Sequence, residues 1–192
     1  MMAGERSSAL EAGGGMPPAS GSGTIKVWDL FVRIFHWSLV VAFAVAFLTG
    51  DGNERVHTIS GYAIAALVAA RIVWGFIGSK HARFADFVVA PRKVTEFTMQ
   101  SMRLKAPRHI GHNPAGGVMI LALLATFAGL AITGHLMTTD AYWGSKTLED
   151  VHEGLAYFAL GLVGLHVLGV FFTAIEHREN LVKAMITGRK RT

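Results

Sequence analysis

VHEGLAYFALGLVGLHVLGV, residues 151–170, is long and apolar enough to cross a bilayer, yet it carries two histidines, His152 and His166. A spanning helix needs about 20 predominantly apolar residues, and this stretch supplies them. Fourteen residues of α-helix make close to four full turns and rise about 21 Å. The two imidazoles therefore leave nearly the same face of one helix, at opposite depths. Ionisable groups inside a membrane are costly and tend to be functional, so this spacing is the place to begin.

Working outward, three further apolar runs complete the set. The spans fall at about 30–49, 59–77, 115–133 and 151–174. With 52% hydrophobic residues, the chain is too apolar for an ordinary soluble domain of 192 residues. The expected fold is an all-α integral membrane protein, a four-transmembrane-helix bundle, with residues 24–192 forming one membrane domain. Residues 1–23 are rich in Gly, Ala and Ser and contain Pro17 and Pro18, without an apolar run. They read as a disordered tail and not as a signal peptide.

The net charge of +5 follows topology and does not indicate nucleic-acid binding. The segment after the second span carries Lys80, Arg83, Arg92, Lys93, Arg103, Lys105 and Arg108, and the C-terminal tail carries Arg178, Lys183, Arg189, Lys190 and Arg191. The loops at 50–56 and 135–150 hold mainly Asp51, Glu54, Asp140, Glu149 and Asp150. The positive-inside rule then places both termini and the middle loop in the cytoplasm. In the middle loop, 91–104 reads as an amphipathic surface helix with Val94, Phe97, Ser101, Met102 and Leu104 on its apolar side. A second surface helix is expected after Ala174, around Leu181, Val182, Met185 and Ile186.

Depth decides which histidines can meet. His36 lies about two turns into the first span, and His166 about two turns before the inner end of the fourth, so both sit toward the cytoplasm. His57 and His152 open the second and fourth spans at the outer side. The pairs are His36 with His166 and His57 with His152. The chain has no cysteine, which excludes disulfides, iron–sulfur clusters, thiolate-ligated haem and covalently attached c-type haem. Two imidazoles from facing helices, at two depths, suit two bis-histidine haems b. Gly61, Gly154, Gly161, Gly164 and Gly169 flank these histidines, leaving room for a porphyrin or letting helices approach closely. A lone histidine is more often a hydrogen-bonded bundle residue than a ligand; four in depth-matched pairs favour ligation.

His135 closes the third span on the outer side and competes with His57 for the outer centre. His81, His109, His112 and His177 lie in basic loops and read as surface residues, with His112 in the GHNP turn carrying more weight. Arg71 and Arg33 either snorkel to the interface or meet carboxylates of an inner haem, and Arg55 is the outer counterpart.

These residues resemble the bacterial cytochrome b561 and nickel-dependent hydrogenase b-type cytochrome family. The resemblance rests on VWDLFVRIFHW (27–37), HTISGYAIAALVAARIVWGFIGSKHARFADFV (57–88), GHNPAGG (111–117), TGHLMTTDAYWG (133–144), the opening stretch and HRENLVKAMITG (177–188). It implies a four-helix di-haem cytochrome whose ligands fall on His36, His57, His152 and His166, with the inner arginine on Arg71. It also implies electron transfer in the inner membrane between a quinone and a c-type cytochrome, dehydrogenase or hydrogenase subunit; a homodimer stays open, as does quinone oxidoreductase activity. Two other readings stand beside it. A histidine-dependent proton or metal-ion transporter would want carboxylates mid-membrane, and the spans have none there. A purely structural anchor for a redox enzyme would leave the histidines without a reason.

Overall fold

The computed structural model describes residues 23–191; the tail expected at 1–23 lies almost wholly outside them. Four long helices form the body: α1 (Leu30–Thr49), α2 (Glu54–Ile77), α5 (Pro114–Met137) and α6 (Lys146–His177). Between α2 and α5 run a 3-10 turn (Lys80–Ala82), α3 (Phe84–Phe87) and α4 (Pro91–Met102). After α6 come α7 (Leu181–Thr187) and β2 (Arg189–Arg191), which pairs antiparallel with β1 (Thr24–Lys26).

Each of the four long helices begins where a side chain can satisfy one of its first free N–H groups. Asp29 accepts from Val32 N–H at the head of α1, and Asn53 from Val56 N–H at the head of α2. Asn113 accepts from Gly116 N–H, with Pro114 in the first turn of α5, and Ser145 from Leu148 N–H at α6. These caps lie outside the apolar runs, so α2, α5 and α6 are longer than the spans at 59–77, 115–133 and 151–174. His57 and His152 consequently sit within the first two turns of their helices rather than at the tip.

All four long helices are apolar enough to cross a membrane, and they bury few residues against one another. Their outward faces carry Leu48, Phe76, Ile132 and Leu168, as lipid solvent permits. A core of Phe35, Ala46, Ile64, Val68, Leu124, Phe127 and Ala159 joins α1, α2, α5 and α6. α1 packs along α2, α2 along α5, and α5 along α6. α6 does not pack along α1 or α2 in the same way, and of its 32 residues only Ala159 is buried. α6 meets the α1–α2 pair through Ala159 in the shared core and Tyr157 edge-on to Phe47 at 5.9 Å.

Both ends of the described chain meet at one end of the bundle. Thr24 pairs with Arg191 and Lys26 with Arg189, and Gly188 C=O accepts from Val27 and Trp28 N–H at 2.8 and 3.2 Å. Glu179 joins Arg108 at 3.1 Å and Lys190 at 3.7 Å, and Glu176 accepts from the Ser101 hydroxyl and from Ala106 N–H, so the segment before α5 is strapped to the end of α6. The surface helix expected at 91–104 forms as α4. Phe97 turns inward beside His109, while Met102 and Leu104 face outward with Met99, the side a membrane surface would cover.

Candidate functional site

Histidines of α6 face histidines of α1 and α2 at two levels. At the end where the termini meet, the rings of His36 on α1 and His166 on α6 lie with centroids 6.4 Å apart. At the other end, His57 on α2 and His152 on α6 face each other at 6.0 Å. Two imidazoles that hold one metal from opposite sides, each nitrogen about 2 Å from it, place their ring centroids about 6 Å apart. Both pairs have that spacing. Among the described residues no group of three or more His, Asp or Glu gathers as a metal cluster, so each level offers two nitrogens on opposite sides and no third ligand.

At the outer level both ligand tautomers are fixed. His57 Nδ1–H donates to the Ala46 carbonyl at 2.9 Å. The Thr133 hydroxyl donates to Gly129 C=O at 2.8 Å and so accepts from His152 Nδ1–H at 2.8 Å. In each ring Nε2 is left free, the arrangement by which outer partners orient metal-bound histidines. A Cβ on Gly134 would come within 3.2 Å of His152 Cε1, so this glycine admits the ring. His135, the competitor for this centre, is exposed and bonded through Nδ1 to Tyr62 Oη at 3.1 Å. The geometry brings His57 to His152 and leaves His135 outside.

At the inner level His36 Nδ1 is buried with no hydrogen-bond partner. Arg71 is 2% exposed; Nη2 donates to Ala82 C=O at 3.0 Å, its guanidinium lies over the Phe84 ring, and Nη1 is buried without a partner. An orphaned cationic donor calls for an acceptor, preferably an anion. Arg33 Nη2 donates to the Ile186 carbonyl on α7.

A Cβ built on Gly61, Gly154, Gly161, Gly164 or Gly169 meets nothing within 4 Å, so these glycines are not points of close helix approach; Gly154, Gly161, Gly164 and Gly169 lie on exposed parts of α6. The paired imidazoles at both levels, the outer Nδ1–H partners and the orphaned Arg71 donor at the inner level fit a haem at each level.

Two residues at the inner mouth were missed or underweighted in the sequence. Asp29 caps α1 and also accepts from Trp74 Nε1 at 3.1 Å and Ser79 Oγ at 2.5 Å, tying α1 to α2. Burial acts against its charge, but these hydrogen bonds prevail and hold the carboxyl below its usual range. Its position just before the first apolar residue was the available signal. His112, read as a surface residue, packs between Trp28 (tilted, 4.5 Å) and Phe87 (edge-on, 5.0 Å) with Nδ1 closed to solvent and unpartnered. Burial, with the charges of Arg71 and Lys190, pushes its pKa down to about 3.

A bundle of four membrane-crossing helices with imidazoles paired across it at two levels defines a class, the multi-pass b-type cytochromes of electron transport. Residues 27–188 match the family described as prokaryotic cytochrome b561, and the chain belongs to that family. It is a multi-pass protein of the bacterial inner membrane. Similar proteins include three named probable Ni/Fe-hydrogenase B-type cytochrome subunits. That of Bradyrhizobium diazoefficiens is 24% identical, covering 90% of this chain and 88% of the relative. That of Azotobacter vinelandii is 25% identical over 93% of each chain. The hydrogenase 1 subunit of Escherichia coli is 22% identical over 84% of this chain and 88% of its own. No solved structure matches the chain.

Proposed function

We propose that this chain carries electrons across the inner membrane through two haems b, the inner held by His36 and His166 and the outer by His57 and His152. The observation that carries the reading is the spacing of the two pairs, 6.4 and 6.0 Å between ring centroids, both completed by one helix. When bound, each haem supplies a one-electron couple at its iron. The protein's part is to position and insulate. Ala46 and Thr133 hold the outer imidazoles through Nδ1–H and leave Nε2 for the metal, and these bonds raise their basicity as ligands. Arg71 offers a buried positive charge to a carboxylate at the inner level. The apolar faces of α1, α2 and α6 keep water from both levels.

The inner pair lies at the end where β1 and β2 meet, and the positive-inside rule makes that end cytoplasmic. Because similar proteins are named as hydrogenase subunits, an oxidoreductase of that kind is the proposed protein partner, with membrane quinone as the partner inside the bilayer. The test is the spectrum of the purified protein. The expected result is low-spin haem b in the reduced-minus-oxidised difference and bis-imidazole ferric signals at low temperature. A single five-coordinate haem would contradict the reading.

A further inference from the structure

Arg33 opens a second line of reasoning, independent of haem ligation. The stripe Leu30, Arg33, Ile34, Trp37 and Ser38 on α1, closed at one side by Ile186 of α7, lines a groove of about 580 Å³ on the outside of the bundle. Its walls are apolar and open to the surroundings: Leu30 is 61% and Ile34 57% exposed. Arg33 is the one charge in that lining. Its Nη2 is used by the Ile186 carbonyl, but Nε is buried with no partner.

The groove lies at the membrane boundary, at the end where α1 begins and the C-terminal segment docks. That corner is rich in cations, and its one neighbouring carboxylate, Asp29, is taken up by Val32 N–H, Trp74 Nε1 and Ser79 Oγ. Lys26, Lys183 and Arg189 are all exposed there, and among the described residues no carboxylate pairs with any of them or with Arg33. An apolar channel headed by an arginine and flanked by cations without carboxylate partners is complementary to an amphiphile with an anionic head and an alkyl tail.

We propose that this groove is a binding site for an anionic glycerophospholipid of the adjoining leaflet, its phosphate on Arg33 and an acyl chain along Leu30, Ile34, Trp37 and Ile186. The lipid would then fasten α7, and with it the C-terminal clasp, to the first span.

Native mass spectrometry of the purified holoprotein tests this, after exchange into nanodiscs of equal phosphatidylglycerol and phosphatidylcholine and stepwise delipidation. The wild type is expected to retain one phosphatidylglycerol per chain, at least tenfold in preference to phosphatidylcholine. R33Q should lose that preference. I34W, which fills the groove and leaves the Arg33–Ile186 bond in place, should lose the retained lipid while keeping the wild-type haem spectrum, and it decides the matter if R33Q does not fold. Equal retention of both lipids by the wild type overturns the proposal, as does retention of phosphatidylglycerol by I34W or by folded R33Q at wild-type level.

Discussion

His152 Nδ1 lies 2.8 Å from Thr133 Oγ1, on the neighbouring helix, and that hydroxyl is itself anchored to Gly129 C=O. The outer imidazole is thus aimed by a two-step chain from the α5 backbone. Replacing Thr133 with Val leaves Nδ1–H buried without that acceptor and frees the ring to turn. Loss of such an orienting partner typically costs about 10–100-fold in metal affinity. T133V is expected to lose outer haem on dilution, with the inner haem unchanged and T133S close to wild type. Haem stoichiometry after size-exclusion chromatography reads this.

His135 distinguishes geometry from sequence position. Bonded to Tyr62 and exposed, it has no share in the outer pair. H135A should leave the optical spectrum and both haems intact, whereas H57A should remove the outer one. Haem content per chain in the two variants decides which histidine completes the pair.

Arg71 is a buried cation beside the inner level, with a donor to spare. A nearby positive charge favours the reduced, more negative state of a redox centre. R71Q is therefore expected to lower the inner midpoint potential and leave the outer one in place, with R71K restoring part of the loss. Potentiometric titration followed in the visible band measures both components at once.

His112 gives the protein a pH dependence. Burial among Trp28 and Phe87, with Arg71, Lys190, His81 and His166 contributing unfavourable charge, brings its pKa from 6.5 to about 3. The folded state holds it neutral while the unfolded chain takes up a proton below 6.5, so stability falls as pH drops from about 6.5 toward 3. The loss approaches about 1.4 kcal/mol per pH unit within that window. H112N should flatten this slope; thermal unfolding of variant and wild type between pH 4 and 7 supplies the comparison.

The spans, the surface helices and the pairing of His36 with His166 could be read from the sequence, because lipid demands long apolar runs and depth leaves few histidines able to meet. The outer pair could not be closed that way, since His57 and His135 both stand near an outer helix end and only Tyr62 and Ala46 separate their fates. Helix ends were misjudged for a physical reason: apolar runs stop at the first polar residue, whereas the caps Asn53 and Ser145 stop the helices. The β1–β2 clasp has three residues a side and partners at opposite ends of the chain, too short and too distant for periodicity to reveal. Arg33, one turn before His36, is open in the sequence to both the interface and an inner haem carboxylate, and its bond to Ile186 C=O depends on α7, which local spacing does not reveal.

The most direct test of the two-centre account is haem b per polypeptide in purified wild type, H152A and H166A. The expected result is two in the wild type and one in each variant, with the two variants retaining different components of the redox titration. Two haems retained in either variant, or the same component lost from both, would contradict it.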